Sequence, residues 1–323
     1  MKELMEKHLR PCRRWSDILP IAAVLSVVAA SFGVLFTLPV SLITQMPRLL
    51  RFITGSEDVA KFMMQYYDFI GIWIMMLLIF WIFRPNRPML RAIRHDHQGN
   101  TVKWLLIGLA LGFGTNGFCI LISALTGKIK LYFNEFSIIK LLLLFVFVFI
   151  QSGAEELVMR CYLYQKLRRR YPNPLVAIIG NALIFSLMHL PNPGFNFSGA
   201  MQIFVVGIVF SLLVYYFGSF WAACAMHAGW NFTQNILFGL PNSGNVAVYS
   251  LFKLDAASAT NGFFYNVGFG VEGSPGSTVV LAVCGVILFL IGRKGTYRED
   301  LWKDAEAAAI AEKAAMTAKT ETN

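Results

Sequence analysis

The chain has 323 residues, of which 56% are hydrophobic and only 14% charged, with a formal net charge of +10. An ordinary soluble domain carries about a quarter charged residues, so this composition excludes a soluble globular protein and points to a chain that crosses a membrane repeatedly. The basic excess collects between apolar stretches, which argues against a nucleic-acid partner and for loop topology and anionic headgroups.

Eight apolar stretches, 18–42, 63–83, 103–126, 137–163, 174–190, 200–217, 219–240 and 276–292, come near the roughly 20 residues a helix needs to cross the hydrocarbon core. They predict an all-α polytopic membrane protein of about eight transmembrane helices. The first could mimic a signal peptide, but it is too long for an h-region and reads as an uncleaved span. Basic residues mark alternate ends of the spans. They are Lys2, Lys7, Arg10, Arg13 and Arg14 in the N-terminal tail and Arg84, Arg87, Arg91 and Arg94 in the second loop. Lys166 and Arg168-Arg169-Arg170 follow in the fourth loop, and Arg293-Lys294 open the C-terminal tail. That alternation predicts a cell-membrane protein with both termini in the cytoplasm.

The fifth stretch is short and punctuated. Asn173-Pro174 reads as a cap with proline at the first helical position, and Pro191 stops the helix just beyond His189. Gly218-Ser219 makes a tight hairpin between the sixth and seventh stretches. Residues 241–275 form a Gly-, Asn- and Ser-rich loop with aromatics including Tyr249, Phe264 and Phe269, either a lid at the membrane surface or a disordered connector. Residues 296–319 read as a solvated Ala-rich helix. Three regions are expected: 1–99 with the tail and first two helices, a catalytic core at 100–245, and 246–323 with the loop, last helix and tail. The five cysteines stand singly, so neither a thiolate zinc site nor a disulfide framework is expected.

Ionisable residues inside apolar stretches are costly, about 2.5–3.5 kcal/mol each on insertion scales, and normally face a protein or water-filled interior. Here the glutamates and histidines among them fall in three stretches. Glu156 and Arg160 are four apart with the acid first, the favourable order for a helical ion pair. Glu155 is rotated by about 100° and left unpaired, available as a proton acceptor. His189 follows Phe185 by one turn, and Asn181 extends the same face. His227 and Asn231, also four apart, can both donate to an oxygen that gains negative charge. The other histidines, His8, His95 and His97, lie in polar regions. Counted from the cytoplasmic helix ends, Glu155, His227, Asn231 and His189 lie roughly 12–22 Å deep, in one layer. Taken singly, each group is also explained as interhelical polar glue. Together they suit water activation, hence a membrane-embedded hydrolase.

The order EExxxR, FxxxH, HxxxN, carried by Glu155-Glu156 to Arg160, Phe185 to His189, and His227 to Asn231, resembles the CPBP family of intramembrane proteases. That family includes the type II CAAX prenyl endopeptidases and the bacteriocin-processing or Abi proteins. The resemblance covers roughly residues 100–245. It implies an endopeptidase with an intramembrane cavity open to the cytoplasm, acting on membrane-associated or lipidated substrates. Glu155, assisted by His189, would activate water, while His227 and Asn231 would hold the oxyanion. Glu156 and Arg160 would support them, with Glu156 a second candidate for placing the water.

Glu155, His189 and His227 would also make a two-histidine, one-carboxylate zinc set. No HExxH motif is present, and Asn231 beside His227 suits an oxyanion site better than a metal shell. The expectation is therefore a glutamate mechanism with no cofactor, with zinc as the alternative. Two other function classes stand beside the protease. A proton-coupled carrier would use Asp68 along with the glutamates, but lacks paired broken helices in repeated halves. A noncatalytic immunity protein would keep the motifs without turnover.

Overall fold

The computed structural model describes residues 9–95 and 99–321. Lys2, Lys7, His8 and His97 lie outside the described residues. The fold is almost entirely helical, and its helices follow the apolar stretches. Helices α1 (Leu19–Leu35) and α2 (Thr37–Thr44) together make the first long apolar segment. After α3 (Met46–Thr54), α4 (Glu57–Tyr67) and α5 (Ile70–Ile82) make the second. Both segments are interrupted near their middles, and the interruptions meet. The Thr37 hydroxyl donates to the carbonyl of Asp68 at 2.5 Å, satisfying a group freed by the break. Asp68 therefore sits at a helix junction.

Helix α6 (Val102–Leu125) follows, then strand β1 (Leu131–Phe133). A 33-residue helical rod comes next, built from α7 (Ile138–Glu156), a π-helical stretch at Leu157–Leu163, and α8 (Tyr164–Arg170). Then come α9 (Pro174–Leu187), α10 (Phe197–Phe217), α11 (Phe220–Asn231) with a π-helical extension at Phe232–Leu237, and strand β2 (Phe252–Leu254). Helices α12 (Pro275–Lys294) and α13 (Lys303–Glu321) complete the chain.

By length and composition, six of the described helical segments can cross a membrane: Leu19–Thr44, Glu57–Ile82, Val102–Leu125, Ile138–Arg170, Phe197–Phe217 and Pro275–Lys294. These mark a multi-pass membrane protein. The expected fifth and seventh spans are the shorter helices α9 and α11, of 14 and 12 residues. They are also the helices that bring in the two buried-segment histidines.

Helix α11 lies in the interior, with every residue from Phe220 to Asn231 buried except Trp221. Its closest neighbour is α6, which approaches through a Gly108–Gly112 pair four residues apart. A Cβ on Gly108 would lie 2.3 Å from the carbonyl of Ala222, and one on Gly112 2.3 Å from that of Met226. Small residues at this spacing let two helix backbones touch within a membrane. Gly112→Ala is accordingly expected to cost about 1–3 kcal/mol by forcing the pair apart. Thermal unfolding in detergent reads this directly, and an unchanged midpoint would show that the contact tolerates a methyl group.

The fourth basic cluster behaves differently from a solvated loop. Lys166, Arg168 and Arg169 are buried on the last turns of the rod. Asp17, fully buried, accepts from Arg169 Nε at 2.7 Å and Nη2 at 2.5 Å, from Lys166 Nζ at 3.4 Å and from the Arg14 backbone N–H at 3.0 Å. The C-terminal tail closes the other side. Asp300 takes a bidentate pair from Arg10 at 2.9 and 2.7 Å, Glu299 accepts from Gln165 at 3.0 Å, and the buried Trp302 donates to the Gln165 carbonyl at 2.9 Å. Segments near both chain ends thus clamp the end of the rod. The tail helix begins only after this anchor.

Burial alone would push the Asp300 carboxyl up, but the hydrogen bond and charge of Arg10, with Arg168 nearby, prevail and hold it below the ordinary aspartate value of 3.8. A lowered carboxylate stabilises fully above its unfolded value, and that contribution is lost as pH falls through the folded value. Limited proteolysis of the tail should therefore accelerate below about pH 4 in the wild type, whereas Asp300→Asn should be cut readily at every pH.

Residues 241–275 are ordered. β2 pairs antiparallel with β1, Leu131 opposite Leu254 and Phe133 opposite Phe252. Tyr249, Tyr265 and Phe269 are buried. The loop's aromatics thus serve as its own core. The start of the loop is tied down by Gln234, whose Nε2 donates to the Pro241 carbonyl at 2.6 Å, and by Asn235, whose Nδ2 donates to that of Leu240 at 3.0 Å.

Candidate active site

The two glutamates leave α7 at its junction with the π-helical stretch, and they point differently. Glu156 is fully buried and Glu155 only partly. Arg160 meets Glu156 twice, Nη1 to Oε1 and Nε to Oε2, both at 3.1 Å, and its Nη2 donates to the Gly207 carbonyl at 3.2 Å. Its guanidinium is sandwiched between the rings of Phe185 and Phe210, at 4.6 and 5.0 Å. Weakly hydrated and planar, arginine suits such a slot. The expected ion pair is therefore present, with aromatic walls.

A further partner of Glu156 was not visible in the sequence. His227 Nδ1 lies 3.0 Å from Glu156 Oε1, and its Nε2 lies 3.7 Å from Glu155 Oε2. The imidazole stacks on Phe210, with centroids 5.3 Å apart. A carboxylate only accepts, so the Nδ1 proton belongs between His227 and Glu156, and Nε2 is presented to Glu155 and the cavity.

His189 lies in the turn just after α9, which ends at Leu187, three residues short of the 190 the sequence suggested. Its Nδ1 sits 2.8 Å from the Phe185 carbonyl. A carbonyl only accepts, so Nδ1 carries the proton and Nε2 offers its lone pair elsewhere. The Phe185 ring stands edge-on to both imidazoles, at 4.9 Å from His189 and 6.0 Å from His227. Asn181, on the same face of α9, supports the rod instead. Its Nδ2 donates at 2.5 Å to the carbonyl of Met159, within the π-helical stretch where the normal helical ladder is altered.

Glu155, His189, His227 and Asn231 all line one cavity of about 280 Å³, together with polar groups that sequence reasoning did not single out: Gln151, Gln202, Asn242, Ser243 and Glu272. Gln151 is one helical turn before Glu155 and donates to it through Nε2. Asn231 Nδ2 donates to Ser152 Oγ at 3.2 Å and to Gln151 Oε1 at 3.4 Å. The i, i+4 spacing of Gln151 and Glu155 was a usable signal. Asn242, Ser243 and Glu272 gave none, since they come from the long loop. An adjoining, more apolar cavity of about 190 Å³ shares Glu155, Phe185 and His189.

As a metal site the donors fit poorly. Glu156 is engaged by Arg160 and His227, and among the described residues no three His, Cys, Asp or Glu side chains are grouped to hold an ion. The cavity instead brings the Glu155 carboxylate together with the imidazoles of His189 and His227 and the Asn231 amide.

No curated protein and no solved structure gives a match to this chain. A family model does match, and the stretch it covers runs from the residue before α7 through the first residues after α11, taking in Glu155, Glu156, Arg160, His189, His227 and Asn231. Residues 137–233 carry a match to the family described as Type II CAAX prenyl endopeptidase Rce1-like.

Proposed function

We propose that this protein is an intramembrane endopeptidase that hydrolyses peptide bonds of membrane-associated or lipidated substrates through a water held by Glu155. The observation that carries this reading is His227, fixed at one nitrogen by Glu156 and facing Glu155 with the other, inside a polar cavity among apolar helices. Glu155 accepts the proton of the attacking water, and the lone pair of His189 Nε2 accepts a hydrogen bond from the same water. The carbonyl oxygen gains charge as the tetrahedral intermediate forms. His227 Nε2, when protonated, donates to it, and Asn231 Nδ2 does so by giving up its long 3.4 Å contact with Gln151 Oε1. Glu155 then returns the proton to the leaving amine. Arg160 and Glu156 keep the His227 ring in place and take no proton. No step requires a metal.

The Rce1-like match and the adjoining apolar cavity support a substrate with an apolar or lipid group beside the scissile bond. A prenylated C-terminal peptide has that chemistry. The core at 100–245 performs the reaction, and both termini are assigned to the cytoplasm.

The experiment compares the termini of membrane proteins in cells expressing wild type or Glu155→Gln at matched levels. Peptides that remain uncut only in Glu155→Gln cells would support the protease and reveal its substrates. Identical termini, with both proteins folded, would overturn it in favour of an immunity or transport function.

A further inference from the structure

Glu272 is a buried carboxylate at the cavity that the hydrolytic steps above leave unused. It comes from the far end of the 241–275 loop, and four donors converge on it. Trp230 Nε1 at 3.2 Å and Asn242 Nδ2 at 3.1 Å reach Oε1, while the backbone N–H of Ser243 at 2.7 Å and its hydroxyl at 2.9 Å reach Oε2. Three of these partners, an indole N–H, an amide NH2 and a backbone N–H, can only donate, so they hold Glu272 through the accepting lone pairs of both its oxygens. One end of the loop is thereby tied to the other, and both to α11.

The bonds continue in one direction. Asn242 Nδ2 also donates to Asn231 Oδ1 at 3.1 Å. Asn231 Nδ2 donates onward to Gln151 Oε1 at 3.4 Å, and Gln151 Nε2 donates to Glu155. An amide has one accepting end and one donating end, so fixing either fixes the other. Here three amides run in series between two carboxylates, neither of which can donate. Reversing Asn231 would set its NH2 against that of Asn242 and its oxygen against that of Gln151. Reversing Gln151 would set its oxygen against Glu155. One arrangement satisfies the series.

We propose that Glu272 is a positioning residue, acting through Asn242 to hold the Asn231 amide with its NH2 on the side of Gln151 and Glu155, where it aligns Gln151 on Glu155 and then exchanges its long 3.4 Å contact with Gln151 for the reacting carbonyl. This rests on the hydrolytic reading of Glu155 and Asn231. The loop then belongs to the site, completing its donor set.

The test uses the full chain in lipid nanodiscs and a quenched fluorescent peptide ending in a farnesylated CAAX sequence. Asn242→Ala and Glu272→Gln should each lower kcat about tenfold with KM changed less than about twofold. In an Asn231→Ala background Asn242→Ala should cause no further loss, because its effect passes through the side chain already removed. A loss that is additive with Asn231→Ala, or a shift in KM alone, would overturn the proposal. Hydrogen exchange of residues 241–250 provides a readout free of activity. It should accelerate in Glu272→Gln, and exchange equal to wild type would overturn the tether itself. A wild type that leaves this peptide intact would overturn the prenyl-peptide reading, while the exchange result still decides the role of Glu272.

Discussion

Glu155→Gln is expected to lower peptide-bond cleavage by about 10²–10⁴-fold, the usual contribution of a positioned general base. The fold should remain. Glu155 is partly exposed at the cavity, accepts one hydrogen bond from Gln151 and lies 3.7 Å from His227, so an isosteric amide removes basicity without leaving a buried charge unpaired. Single-turnover cleavage in detergent, with thermal unfolding as the control, measures both. Activity in the wild type should survive metal stripping by a chelator. A loss that zinc alone restores would assign the carboxylates and imidazoles to a metal instead.

Arg160→Met should have the opposite signature, with the fold failing before the chemistry can be assayed. It would leave Glu156 fully buried with His227 as its remaining ionisable partner. Removing one member of a buried pair typically costs about 3–5 kcal/mol, because the survivor has lost water and gained nothing in exchange. The guanidinium also fills the slot between Phe185 and Phe210, which methionine fills only in part. The variant should accumulate poorly and unfold at a lower temperature. Adding Glu156→Gln removes the stranded charge, so Arg160→Met with Glu156→Gln should recover stability without recovering activity. A single Arg160→Met variant as stable as wild type would show that the pair contributes nothing to the fold.

Most of the helical scaffold could be read from hydropathy, because long apolar runs have few other uses in a chain with so little charge. The two shorter helices differ for a reason of packing. Helix α11 is enclosed by protein and so does not need the full apolar length of a lipid-facing span, whereas α9 keeps an exposed apolar face but stops at Leu187, before the turn that carries His189. Within the site, the Glu156–Arg160 contact was legible because it is local, four residues along one helix. The contact of His227 with Glu156 joins residues 71 apart, and no spacing rule reaches that far. Glu272 was hidden in the same way, since its value depends on Asn242 and Ser243 about thirty residues earlier in a loop with no repeating pattern.

The basic cluster shows a third kind of limit. Positive residues beside a span ordinarily indicate the cytoplasmic side by being solvated there. Arg169 and Lys166 are buried instead because Asp17 and the segment around Asp300 fold over them from far away in the sequence. The sequence placed these charges beside a span, but their partners were invisible in it.

The brevity of α9 also bears on the surrounding lipid. Fourteen residues span about 21 Å at 1.5 Å each, against a hydrocarbon core of about 30 Å. Non-helical backbone at that level is tolerated only where protein or water covers it, and a short apolar segment otherwise makes the bilayer thin around it. Where the exposed face of α9 meets lipid, the bilayer is therefore expected to thin beside the turn carrying His189. Such a dimple would shorten the path from the aqueous phase on that face to Glu155. The membrane itself would then help supply the water.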